Sequence, residues 1–198
     1  MKLISLLLAA ALTFSPAFAV PATSGEQVVA IEQGITLAGR LRLQSQRLAK
    51  LWLQAGLGIQ RDVAAVQIAR AGTQFEGALA DLRGYGSKPA IQRDYLRVQE
   101  LWQEYRNALA LPFSDANLKV VSYLADDLML ATGRLAMKIE GEAENGSSRL
   151  LDLSLRQNML AQRLAKLYLQ AQAGDRSYSR LVDIDQARKE FTTAMPEL

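Results

Sequence analysis

Apolar residues recur at steps of three and four along nearly the whole chain, the period of a helix that turns one face to a core, and the strict alternation of a half-buried strand is almost absent. The pattern predicts helices over residues 24–57, 61–82, 90–110 and 117–144, then a further pair that begins near Arg149 and contains Ile184 and Phe191. The breaks between them carry recognisable stop signals. Gly56 and Gly58 end the first helix, and the glycine-rich stretch from Gly84 to Pro89 ends the second. Leu111-Pro-Phe-Ser-Asp115 interrupts the third and offers Ser114 or Asp115 as the next cap. Glu144-Asn-Gly-Ser-Ser148 interrupts or bends the fourth, Gly174-Asp175 separates the last two, and Pro196 closes the last. At the other end, Thr23 and Ser24 followed by Glu26 and Gln27 form a capped helix start. Four long helices joined by short connections predict an up-down-up-down arrangement.

One helical phrase is written twice. Segment 37–55 aligns without a gap on segment 153–171, with Gln46-Arg-Leu-Ala-Lys-Leu51 repeated as Gln162-Arg-Leu-Ala-Lys-Leu167. The register persists downstream, where Ile68, Ala71, Phe75, Ala78 and Leu82 correspond to Ile184, Ala187, Phe191, Ala194 and Leu198. The repeated unit is therefore a helix pair. The expected fold is all-α, an antiparallel four-helix bundle with a duplicated signature helix and an extra C-terminal helix pair. The second copy stops after its second helix, so this half-bundle has to pack on something.

On a helical wheel the first copy has two apolar faces. The broad one carries Leu37, Leu41, Gln44, Leu48, Leu51 and Ala55, a coiled-coil-like seam, and its counterpart carries Leu153, Gln157, Leu160, Leu164, Leu167 and Ala171. A single Gln in each seam reads as a register device or a solvated edge. A narrower stripe of Ala38, Arg42, Ser45, Ala49 and Trp52 matches Ser154, Asn158, Ala161, Ala165 and Tyr168. Its small residues admit a closely packed neighbour. An Arg in such a groove presents a planar fork of donors that suits an oxyanion, or it simply snorkels to solvent beside a helix contact. Arg40, Arg47 and Lys50, with Arg156, Arg163 and Lys166, flank these faces and read as a solvated helix side.

Composition narrows the chemistry. The 198 residues include neither Cys nor His, which removes thiol nucleophiles, imidazole bases and the usual nitrogen and sulfur metal ligands. No metal or cofactor is expected. The carboxylates of Asp126-Asp127 and of Glu140, Glu142 and Glu144 do not converge on one reacting atom and follow no calcium-loop pattern, so they read as a solvated acidic face and no enzyme is expected. A formal charge of +3 gives no support for nucleic-acid binding. Lys2, the apolar run from Leu3 to Leu12 and Ala17-Phe-Ala19 read as a secretory signal, so a periplasmic location is expected, with an uncleaved signal serving as a membrane anchor as the alternative. The domain reading is a signal over 1–19, a bundle over 20–145 and a partial second copy over 146–198.

Ala38-Gly-Arg-Leu-Arg-Leu-Gln-Ser-Gln-Arg-Leu48 resembles the signature helix of the periplasmic sensor domains shared by nitrate/nitrite sensor kinases of the NarX type and the PilJ type IV pilus chemotaxis transducer. The resemblance is clearest over residues 35–53, recurs over 155–169, and extends loosely to Phe75 and the 102–106 region. It implies an antiparallel four-helix bundle. It also implies anion binding by the Arg of the Leu-Arg-Met-Gln-Ser segment, where the signature helices of two subunits meet, and Arg42 holds that position here. Ser45 or Gln46 would supply a supporting hydrogen bond, and Gly39 would allow close helix approach. In the second copy, with its Arg156, Gln162 and Arg163, the matching residue is Asn158, and Gly39 becomes Leu155, so that copy is not expected to bind in the same way.

Two functions follow as expectations. One is an exported small-ligand-binding, sensor-like module for a small anion, nitrate or nitrite by resemblance, that forms a homodimer and is read by a separate membrane sensor or transporter. The other is a non-catalytic structural or interaction protein that uses the motif helices only for packing or dimerisation.

Overall fold

The computed structural model describes residues 24–142 and 147–198. The expected signal segment, the cap at Thr23 and the interruption at 144–146 lie outside them. Among the described residues the protein is all-helical, with no strand. The elements are α1 (Ser24–Gly56), α2 (Arg61–Asp81), the single turn α3 (Arg83–Gly86), α4 (Pro89–Leu109), α5 (Asp115–Glu140), α6 (Ser147–Gln172) and α7 (Tyr178–Ala194), with a 3₁₀ turn over Met195–Glu197.

The helix boundaries follow local chemistry. Ser114 caps α5 by accepting from the Asn117 N–H, which starts that helix slightly before the expected Asn117. Gly141 ends it at Glu140, earlier than expected. The glycine-rich stretch after α2 holds one more helical turn, α3, whose Tyr85 hydroxyl donates to the Ala30 carbonyl at 2.6 Å. The duplicated phrase carries its own stop. Gly58 (φ 74°) and Gly174 (φ 110°) occupy matching repeat positions in the left-handed region, where a side chain would be strained. After each, the same pair of bonds forms: Ile59 N–H to Gln54 C=O with Gly58 N–H to Ala55 C=O, and Asp175 N–H to Gln170 C=O with Gly174 N–H to Ala171 C=O. This is the Schellman closure, which satisfies carbonyls that the helix end leaves free.

α1 is the hub and packs on α2, α5 and α6, while α4 lies against α5 and α7 against α6. Helix directions follow from the contacts. Gln46 bonds to the Ala125 carbonyl, whereas Gly34 lies beside Ile139, so α1 and α5 run oppositely. Trp102 stacks on Phe75 at 4.1 Å, and the Tyr95 hydroxyl reaches the Leu79 carbonyl, so α2 and α4 run oppositely too. Tyr105 reaches Ser45 and Trp52 reaches Leu111, placing α4 parallel to α1. These four helices share one continuous core that includes Ile35, Leu41, Leu48, Phe75, Leu101, Tyr105 and Leu128.

The second copy does not hang free. α6 runs opposite to α5, because Lys166 meets Asp126 and Gln170 meets Ser122. It therefore lies parallel to α1, its own repeat. Both seam glutamines tie each signature helix to its hairpin partner, Gln44 to Gln74 at 2.9 Å and Gln157 to the Phe191 carbonyl at 2.9 Å. Both are buried, so neither is a solvated edge.

Candidate functional site

The narrow stripe of α1 places Arg42 where α1, α5 and α6 meet. Its residue is only 8% exposed. One guanidinium nitrogen donates to Asp152 Oδ1 of α6 at 2.7 Å, and Gly133 of α5 lies alongside the group. The buried Nε has no hydrogen-bond partner. A carboxylate from the second repeat thus already sits on the guanidinium in an environment that excludes most water, where a charge-assisted bond is strong. The snorkelling alternative is overturned, because Arg42 points into an interface.

The other motif residues are drawn into packing. At Gly39 α1 and α6 approach closely: a Cβ there would lie 2.7 Å from Leu155 Cδ1 and 2.9 Å from Leu155 Cβ. Leu155 is the residue that replaces Gly39 in the second copy, so the two repeats touch through equivalent positions. The Ser45 hydroxyl donates to the Arg42 carbonyl at 2.8 Å, while the Ser45 carbonyl accepts from Tyr105. Neither group is turned to a ligand beside Arg42. Gln46 donates to the Ala125 carbonyl at 2.9 Å and to Asp126 Oδ1 at 3.1 Å, and its own Oε1 is unpartnered.

Second-copy residues are more dispersed. Arg156 pairs with Glu190 of α7 at 2.8 Å, and Asn158 is exposed on the side of α6 away from the core. Gln162 and Arg163 are half-buried, with Gln162 Oε1 and Arg163 Nε unpartnered. None of the four reaches Arg42.

Sequence reasoning placed Lys166 on a solvated helix side, and the structure corrects this. Lys166 is fully buried, and its Nζ donates to Asp126 Oδ1 at 2.6 Å. Burial lowers its pKa, with the Asp126 carboxylate opposing that shift. Asp126, expected on a solvated acidic face, is instead the junction of both repeats, since Gln46 and Lys166 converge on the same oxygen. The available signal was spacing: Met159, Gln162, Lys166 and Gln170 follow one another around α6 at steps of three and four, and three of them are buried. Lys50, the first-copy equivalent, is half-buried, and its pKa is lowered by desolvation and by neighbouring Arg47.

Among the described residues no cluster of three or more carboxylates is placed to hold a metal ion. Nor is any helix there long and apolar enough to cross a membrane. No curated protein and no solved structure matches the chain. The model of one family does match, over residues 28–126, half of the chain, and it spans α1, α2, α4 and the start of α5, including Arg42 and Asp126. The chain therefore belongs to the PilJ family, described as the N-terminal region of type IV pili methyl-accepting chemotaxis transducers.

Proposed function

We propose that this chain is an exported, sensor-like module that responds to a small oxyanion at Arg42, nitrate or nitrite by family resemblance, and is read by a separate membrane signalling or transport protein. In this reading residues 20–145 form the antiparallel four-helix sensor bundle, and 146–198 form a partial second copy laid along its signature helix. The reading is non-catalytic. One observation carries it: the Arg42 guanidinium, enclosed between three helices, is held by a single carboxylate, with its Nε left over. A planar oxyanion offers the same acceptor geometry as a carboxylate, so nitrate would compete with Asp152 for the same donors. Exchange of Asp152 for the anion would loosen α6 from α1, a change that a partner can read.

Calorimetric titration with nitrate and nitrite tests this, with sulfate and chloride as controls. Saturable binding is expected, tighter in Asp152→Asn, where the internal competitor has lost its charge, and absent in Arg42→Ala. Unchanged affinity in Arg42→Ala, or no binding by either the wild type or Asp152→Asn, overturns the site.

A second reading is favoured by the way Gly39, Ser45 and Gln46 are consumed in packing. In it the motif serves only to join helices within the chain or between chains. A stable homodimer with no heat from any anion would support that reading.

A further inference from the structure

A cleft of about 510 Å³ lies between the first half of α5, the end of α6 and the start of α7, and Arg42 is not among the residues that line it. Its floor is built rather than incidental. Gln170 is 1% exposed and lines the cleft. The orientation of its amide is fixed by bonding: the Ser122 hydroxyl spends its hydrogen on the Leu118 carbonyl at 2.6 Å, so it accepts from Gln170 Nε2. Gln170 Oε1 is left buried without a partner, an unfavourable state for a polar atom that an arriving donor would relieve.

The charges around it select the kind of donor. Both hydrogen bonds to Asp126 fall on Oδ1, from Gln46 and Lys166, so Oδ2 carries neither of them, and Asp126 lines the cleft. The one Arg in the wall is already spent. Arg180 donates to Asp175 Oδ2 through Nε and Nη2 at 3.0 and 2.9 Å, and to Asp183 Oδ2 at 3.2 Å. Asp115 adds a further carboxylate, and exposed Lys119 is the remaining cation of the wall. Leu118, Tyr123 and Ala173 supply apolar surface beside these groups. Arg180 stands where the first copy has buried Ala64. A charged residue at that point replaces the closely packed start of the first hairpin.

We propose that this cleft binds a small primary amine, its ammonium donating to Gln170 Oε1 and Asp126 and its short carbon chain lying against Leu118 and Tyr123. Because the cleft is walled by α5 on one side and by α6 and α7 on the other, such a ligand clamps the second repeat to the first. The site is independent of anion binding at Arg42.

Titration of the full chain with putrescine and ethanolamine tests the proposal, with acetate and nitrate as controls. Saturable amine binding is expected, weakened about tenfold or more in Gln170→Leu, as befits loss of a hydrogen bond to a charged group, and retained in Arg42→Ala. Circular dichroism checks that Gln170→Leu keeps its helicity. Should that variant fail to fold, amide and side-chain NMR shifts of the wild type on adding putrescine decide. Shifts centred on residues 118–126 and 170–183 support the site, whereas shifts elsewhere or none overturn it. Unchanged affinity in a folded Gln170→Leu also overturns it, as does acetate binding as strongly as the amines.

Discussion

The two copies of one helical phrase meet different surroundings, and the difference shows how far local sequence determines burial. In the first copy Trp52 is 5% exposed and hydrogen-bonded to the Leu111 carbonyl, while its equivalent Tyr168 is 58% exposed. Phe75 of α2 is fully buried and stacked on Trp102, whereas Phe191 of α7 is only half-buried and packs against a small cluster of Met129, Met159 and Leu160. The lysine reverses the order: Lys50 is half-buried and Lys166 completely so. Identical or similar residues at equivalent helical positions therefore diverge according to which helices surround them. α1 has neighbours on three sides, and α6 borrows its core from α1 and α5.

The largest test of that contrast is a matched pair of truncations. Phe75→Ala is expected to cost about 4 kcal/mol, the usual loss for a fully buried aromatic side chain. Phe191→Ala, at the equivalent position, is expected to cost less than half of that because its ring is partly solvated already. Denaturant melts of both variants measure the difference, and equal losses would mean that α7 is as deeply integrated as α2.

Next in size is the ion pair that joins the repeats. Asp126→Ala strands the Lys166 ammonium where no water reaches it, and a loss of about 3 kcal/mol is expected. Lys166→Met removes the charge and fills the same space, so its stability is expected to stay near that of the wild type. A comparable loss in both would show that the pair itself, rather than the stranded charge, matters.

Much of this organisation is legible from residue order alone. The helices, their stops at Gly58 and Gly174, and the hairpin repeat all follow from periodicity and glycine placement. These are properties of one segment at a time. What the residues do not reveal is which copy of a segment faces which neighbour. Arg42 finding Asp152, and Lys166 finding Asp126, depend on α6 lying parallel to α1 and antiparallel to α5, and no local pattern encodes that choice. Lys166 shows why: a lone Lys beside an apolar seam is ordinarily solvated, and only a carboxylate from a distant helix makes its burial tolerable.

The contact between repeats at Gly39 gives a smaller test. Gly39→Ala introduces a methyl group 2.7 Å from Leu155 Cδ1, and over-packing of that kind costs about 1–2 kcal/mol. Combining it with Leu155→Ala makes room on the facing helix. If the repeats touch here, the double variant is less destabilised than the sum of the single ones, as measured by a double-mutant cycle on thermal melts.

The smallest effect separates the two copies by pH. Tyr105 is wholly buried, and its hydroxyl donates to the Ser45 carbonyl of the first signature helix at 2.8 Å. Burial, with a smaller contribution from Asp126, raises its pKa well above the ordinary tyrosine value. The folded state then keeps a proton that the unfolded chain releases above about pH 10, so stability is present below that pH and falls as pH rises beyond it. Lys166 acts in the opposite sense. Its lowered pKa means that the unfolded chain holds the extra proton, and stability from this group rises as pH approaches the ordinary lysine value. Tyr105→Phe is expected to cost about 1 kcal/mol near neutrality through the lost hydrogen bond, and to flatten the alkaline decline. Lys166→Met is expected to steepen it, because the compensating slope disappears. Chemical denaturation between pH 8 and pH 11 resolves the two slopes, and parallel curves for the two variants would sink the assignment of opposite roles to these buried groups.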